Sequence, residues 1–200
     1  MIKVEKINYN DLPKCRENTV YKKNNIGILG VFQEKASGKH LIVGTSHFHW
    51  NPEVEYVKFL QGKAFSSGAS RLRQEYNCPV ILTGDFNSEP NSSTIKYMLG
   101  QELELNAGSD IDNEILTMVD KVPIELKSAY CNYTDQGHPE FTNYTQDFKG
   151  CLDYILFTDE LEVKELGKVP GYNDFYGIVG IPNHEYPSDH LPVVANFYFR

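Results

Sequence analysis

Four short stretches of this chain follow one plan, an apolar strand running out into polar groups: GTSHFHW (44–50), TGDFNSEP (83–90), GCLDYILF (150–157) and YPSDHLPVV (186–194). That plan constrains the fold most, because a sheet can aim the side chains at its strand ends into one cleft. The stretch CPVILTGDFNSEP puts the question sharply. A fully apolar strand over Val80–Thr83 is followed by a carboxylate at Asp85 and an amide at Asn87. A strand needs neither group, whereas a phosphate and a metal ion need both.

The remaining pattern supplies the layers. Residues 26–33 (IGILGVFQ) and 41–46 (LIVGTS) read as strands, and EKASGKH between them holds a Ser-Gly turn, so a hairpin is expected. From Pro52 to about Tyr76 the pattern is helical, with Val54, Val57, Leu60, Ala64 and Leu72 near one face. Pro52 suits a first turn, while Gly62 and Gly68 weaken the helix. Asn91 and Ser92 offer caps for a helix through about Leu99. Residues 100–150 are polar and irregular and read as a long surface excursion. Strands return at Cys151–Phe157 and Leu161–Val169, and Leu191–Phe199 forms the last. Strands interleaved with helices and hairpins predict an α/β fold, a layered sandwich of mixed β-sheets flanked by helices, as a single domain over 1–200.

Charge and cysteine usage narrow the function classes. A net charge of -8 argues against a protein that coats nucleic acid. It leaves room for an enzyme that meets nucleic acid through a divalent cation held by carboxylates. No apolar stretch approaches the roughly 18 residues of a membrane helix, and MIKVEKINYN carries no targeting pattern. Cys15, Cys78, Cys131 and Cys151 form no Cys-x-x-Cys pair, and Cys78 and Cys151 edge apolar runs. Structural thiols in a reducing, intracellular compartment are expected.

The four stretches gather His47, Asp85, Asn87, Asp153, Asp189 and His190. That inventory suits hydrolysis of a phosphate ester. Carboxylates hold a hard cation such as Mg²⁺, amide and imidazole donors stabilise phosphoryl oxygens, and a carboxylate-oriented histidine handles protons. Taken singly, each has an ordinary reading. Asp85 and Asn87 favour turns, Asp189-His190 could cap a loop, and Asp153 amid apolar residues needs a buried partner in any case. His49 is expected on a neighbouring face rather than as a ligand, and His40, His138 and His184 receive no role.

In order along the chain, the TSH, GDFN, LDY and SDH segments resemble the endonuclease/exonuclease/phosphatase superfamily of Mg²⁺-dependent phosphodiesterases, from about Ile26 onward. FTNYTQDFKGCLDYI (141–155) is similar to the CCR4-type deadenylase group, which includes Angel proteins and 2′,5′-phosphodiesterase 12, and GCLDYI, LEVKELGKVP and HEYPSDH most resemble its phosphodiesterase 12 branch. The resemblance implies a DNase I-like fold and a Mg²⁺ (or Mn²⁺) cofactor. It implies that Asp85 orients or deprotonates the attacking water or helps hold metal, and that Asn87 binds a phosphoryl oxygen. Asp189 would sit at the metal or its water shell, Asp153 would orient His190 against the scissile phosphate, and His47 would be a second imidazole there. Whether aspartate or histidine is the base stays open. Pro52 and Phe148 match positions that pack on a terminal adenine, implying an adenylate-rich RNA or oligoadenylate substrate. A cytoplasmic or mitochondrial location follows from the same likeness.

The family's N-terminal half brings an asparagine motif and a Gln-Glu whose glutamate is the principal metal ligand. This chain is expected to begin after both, so its N-terminal part is expected to be missing. INYN (7–10) and FQEK (32–35) are lookalikes, and neither Asn10 nor Glu34 is expected to serve. The function classes left open are a metal-dependent exoribonuclease or phosphodiesterase, a non-catalytic RNA- or partner-binding form, and a phosphatase of phosphoinositides or nucleotides.

Overall fold

Strand β4 (Val80–Asp85) and strand β3 (His40–Ser46) pair in parallel, Ile42 with Val80 through Thr45 with Thr83. A parallel pair needs a long crossover, and the helical pattern after His47 provides it as α2 (Glu55–Tyr76), entered through a 3₁₀ turn at Pro52–Val54. The computed structural model describes residues 1–106 and 109–200, so positions 107 and 108 of the predicted surface excursion lie outside the described residues. Strand β1 (Lys3–Asn8) and strand β2 (Ile26–Gln33) extend the sheet antiparallel beyond β3. On the other side β4 pairs antiparallel with β8 (Asp153–Phe157), which pairs with the short β5 (Lys127–Ser128). The order is therefore β1-β2-β3-β4-β8-β5. Two ribbons complete the fold: β6 (Asn143–Tyr144) with β7 (Lys149–Gly150), and β9 (Leu161–Leu166) with β10 (Ala195–Phe199). Short helices sit in the connections between strands: α1 (Pro13–Glu17) between β1 and β2, and α3 (Ser93–Met98) and α4 (Asp110–Leu116) between β4 and β5.

The strands alternate, and each face meets its own core. Leu29, Val31, Ile42, Val80, Leu82 and Leu156 face α2 in the larger core, with Phe59, Phe65 and Leu72 of the helix. Ile155 and Phe157, with Leu41 and Ile81, face a second core built on Phe141, Tyr144, Leu161 and Phe175. The layered α/β sandwich read from the sequence is the fold.

Three expectations need correction. Residues 100–150 are not a surface excursion: Ile115, Met118, Ile124 and Leu126 enter the larger core, and Tyr130, Phe141 and Tyr144 the second. Their apolar residues are spaced by neither helix nor strand period, so the pattern hid them. The strand predicted through Val169 ends at Leu166, and the last strand starts at Ala195 rather than Leu191. Pro192 follows Leu191, whose N–H leaves the ribbon to donate to the Thr142 carbonyl. The N-terminal strand β1 was also hidden, because its charged residues pair with α2: Lys3 with Glu75, and Glu5 with Arg71.

Gly68, expected only to weaken α2, marks a close crossing. A Cβ there would sit 2.7 Å from Ile7 Cδ1 and 3.1 Å from Leu29 Cδ1.

Candidate active site

Parallel pairing brings the C-terminal ends of β3 and β4 to one edge of the sheet, and β8 begins at that edge because it runs antiparallel to β4. His47 directly follows β3, Asp85 ends β4, and Asp153 opens β8 directly opposite Asp85. Two carboxylates facing each other across a ladder repel. The His190 backbone bridges to Asn143, the first residue of β6, and its ring enters between them. His190 Nδ1 lies 2.7 Å from Asp153 Oδ2, and Nε2 lies 3.7 Å from Asp85 Oδ2. His47 Nε2 approaches the same Asp85 oxygen at 3.4 Å. Ligand atoms of Asp85, Asp153 and His190 all fall within 4.8 Å of one another.

The electrostatics follow from this arrangement. The hydrogen bond to Asp153 is the main cause that raises His190 above the ordinary imidazole value, against burial, with the charges of Asp153, Asp85 and Asp189 adding. Burial is the main cause that raises Asp85 above the usual carboxylate range. The Asn87 N–H opposes it, the facing Asp153 charge adds to it, and His190 and His47 draw it back. Asp85 is thus held where its charge is costly and its proton is retained longer than usual.

The turn that carries Asp85 and Asn87 is fixed on every side. Gly84 has φ of +146°, and a Cβ would collide with the Ser46 carbonyl oxygen, so β3 and β4 approach closely only over glycine. Asn87 sits in the left-handed region at φ +46°, which asparagine tolerates. Its N–H donates to Asp85 Oδ1 at 2.8 Å, and its Nδ2 donates to the Phe48 carbonyl at 3.0 Å. Phe86 points the other way, fully buried, stacked on Phe48 at 4.6 Å and on Tyr154 at 5.7 Å. Tyr154 Oη in turn donates to the Ser88 carbonyl at 2.7 Å. The alternation of Asp, Phe and Asn is therefore one turn with a polar face and an anchored face.

Other candidates fall nearby or elsewhere. Asp189 is exposed; its carbonyl accepts the Tyr144 N–H, and its charge is felt at His190. Pro52 and Phe148 are exposed, at the entry to α2 and on the β6–β7 loop. His49 is part-buried, its backbone N–H held by Gln61 Oε1, and burial, then Lys23 and Lys58, lower its pKa. Glu34 lies at the far end of the β2–β3 hairpin from His47, roughly 20 Å along the strands. Asn10 is committed to the loop before β2, accepting from the Lys23 and Asn24 N–H groups. A cleft of about 490 Å³ opens beside the site between Asn25, Ile28, Thr45, His47 and Asp85. Buried Lys58 and Gln61, which touch the site's loops from beneath, had no motif to announce them.

Residues 39–190 match the Endonuclease/Exonuclease/phosphatase family. The chain is 30% identical over 185 residues to a probable CCR4-Not complex 3′-5′-exoribonuclease subunit Ccr4 of Enterocytozoon bieneusi, covering 90% of this chain and 37% of that protein. It is 31% identical over 190 residues to carbon catabolite repressor protein 4 homolog 4 of Arabidopsis thaliana, covering 90% of this chain and 43% of the relative. The chain thus spans about two fifths of the length of these relatives. Among solved structures, ANGEL2, described as a 2′,3′-cyclic phosphatase in complex with adenosine-2′,3′-vanadate, superposes with a TM-score of 0.82. It is 21% identical, with 98% of this chain and 66% of that one covered. Matched by the family over residues 39–190, about three quarters of its length, this chain belongs to the endonuclease/exonuclease/phosphatase family.

Proposed function

We propose that this chain carries the phosphodiester-cleaving site of a deadenylase-type 3′-5′ exoribonuclease, acting on adenylate-rich RNA with Mg²⁺ as cofactor. The observation that carries the reading is the Asp153–His190–Asp85 arrangement at the edge of the sheet. Asp153 fixes the His190 ring through Nδ1 and leaves Nε2 free to donate to a phosphate oxygen. Asp85, with a raised pKa, is suited to take a proton from an attacking water. Asn87 has committed one amide proton to Phe48 and keeps the other for a phosphoryl oxygen. His47, largely exposed, adds a second imidazole at the mouth of the cleft. Pro52 and Phe148 offer exposed faces for a terminal adenine.

The donor set fits a hard divalent cation: two carboxylates face each other, and one of them holds its negative charge at a cost that a cation would relieve. Asp85 would hold it beside Asp153, with Asp189, whose charge is felt at His190, at the ion or its water shell as the family resemblance implies. When bound, such an ion supplies positive charge at the phosphate and acidifies water.

The test uses the 200-residue chain with end-labelled 3′-5′ oligoadenylate and Mg²⁺. Stepwise shortening that falls by about 10²–10⁴-fold in His190→Ala is expected, the range for loss of a positioned proton donor. No shortening by the parent chain, or shortening indifferent to His190→Ala, overturns the reading. Preference for a 2′-5′-linked oligomer run alongside would reassign the linkage.

A further inference from the structure

Helix α2 does more than cross over the sheet. Three polar side chains at successive turns point inward instead of to solvent: Lys58 and Gln61 are buried, and Glu55 is part-buried beside Lys58. Lys58 is 3% exposed and Gln61 2%. Lysine is almost never fully buried without a partner, and burying an ion pair costs several kcal/mol per ion, in general terms, unless its geometry is well satisfied. Here the geometry is satisfied. Lys58 Nζ donates to the Asn87 carbonyl at 2.8 Å and lies 2.9 Å from Glu55 Oε2. Glu55 Oε1 accepts from the Thr94 hydroxyl at 2.6 Å and from its N–H at 3.2 Å.

One turn further, Gln61 Oε1 accepts the His49 N–H at 2.9 Å, and Gln61 Nε2 reaches Asn25 Oδ1 at 3.3 Å. Asn25 Nδ2 then donates to the His47 carbonyl at 3.0 Å. The Lys58 and Gln61 bonds thus reach the backbone of the two loops that hold Asn87 and His47, directly or through Asn25, while Glu55 ties Lys58 to α3 at Thr94. A purely structural helix would fill this interior with aliphatic side chains, which pack without the desolvation cost.

We infer that Lys58, clamped by Glu55, is a positioning residue: it fixes the Asn87 carbonyl and so sets the direction in which the Asp85–Asn87 turn presents its amide and carboxylate. Gln61 does the same for the His47 loop. What the turn then does rests on the phosphodiesterase reading above; that Lys58 sets its geometry does not. Lys58 also places a cation beneath an anion-binding turn, where it supports the turn without touching the substrate.

Lys58→Met keeps the stem and removes the charge and the donor. The main readout is independent of catalysis. In ¹H–¹⁵N spectra of the folded variant, recorded well below its melting temperature, the backbone and side-chain amide resonances of Asn87 are expected to shift or broaden. The Mn²⁺ concentration that half-broadens the His190 ring signals is expected to rise at least fivefold. In the oligoadenylate assay kcat is expected to fall at least tenfold with KM within about threefold, since positioning affects the reacting groups more than adenine binding. Lys58→Arg, which keeps charge and donor, is expected to recover most of both effects.

A folded Lys58→Met protein whose Asn87 resonances and Mn²⁺ response stay within twofold of the parent overturns the assignment, whatever its melting temperature. Should that variant not fold, Glu55→Gln, which loosens the clamp and keeps the cation, carries the same comparison. A parent chain that cuts nothing overturns the phosphodiesterase reading and leaves the spectroscopic test intact.

Discussion

His190 and Asp85 titrate in opposite chemical senses but push stability the same way. His190 has a raised pKa in the fold, so its bond to Asp153 contributes fully below the ordinary imidazole value near 6.5 and is lost as pH rises through the higher folded value. A two-dimensional imidazole titration of the metal-free protein should give His190 a midpoint above that of a free histidine, and Asp153→Asn should lower it. A midpoint at or below the free value would contradict the geometry. Asp85 also has a raised pKa, so ionising it costs the folded state stability as pH climbs through the folded value. Asp85→Asn keeps the acceptor for the Asn87 N–H and removes the repulsion across from Asp153. It is expected to abolish cleavage while stabilising the metal-free protein by about 0.5–1 kcal/mol, the scale of a cross-strand charge pair, in urea melts at pH 7. At this scale the sequence was legible where residues sat in motifs: His47, Asp85, Asn87, Asp153 and His190 converge on one edge. Lys58 and Gln61 were illegible, because KFLQ in a helix looks the same whether its polar members face water or a loop's carbonyl. Only the tertiary neighbours of α2 decide that.

The elements divide along the same line. β2, β3, β4, α2 and α3 announce themselves by period and caps, since their burial is one-sided or complete over several residues. β1 does not, because its inward Lys3 and Glu5 are satisfied by Glu75 and Arg71 of a helix distant in sequence. The 129–144 segment is likewise opaque: its aromatics bury singly, and Tyr130 and Tyr144 tie off their hydroxyls on the carbonyls of Val194 and Ile178. The turn after β4 tests how far an element depends on its anchor. Phe86 is fully buried among Phe48, Phe65 and Tyr154. Phe86→Ala should cost about 3–5 kcal/mol, as for large core aromatics, read from the denaturation midpoint at constant slope. A loss below about 1 kcal/mol would mean the ring stack is not what holds the turn.

At the scale of the molecule, the second core covers the outer face of the sheet only from β3 toward β5, through Leu41, Ile81 and Phe157. The opposite flank of that face, with Val4, Ile26, Ile28 and Phe32, is exposed at 37–50%. Contiguous apolar surface of this kind promotes association. Ile26→Thr with Ile28→Thr should therefore reduce hydrophobic-dye binding and concentration-dependent scattering, with stability within about 0.5 kcal/mol of the parent, as for surface substitutions. Unchanged dye binding would show the patch to be covered in solution. No helix of the described residues is long and apolar enough to cross a membrane.

The His190–Asp153 bond joins the last of the four site-bearing segments to the first residue of β8, and the contacts of Asp85 with His47 and with His190 likewise join segments far apart in sequence. During synthesis His190 must therefore emerge from the ribosome, well after β8, before its imidazole can settle against Asp153. Until then Asp85 and Asp153 face each other without that neutralising ring, a nascent state in which this edge of the sheet is least secure. Closing loops of this length costs chain entropy before the contacts reward it. The full geometry of this edge would then be assembled only after His190 has emerged, later than the pairing of β3, β4 and β8 that sets its frame.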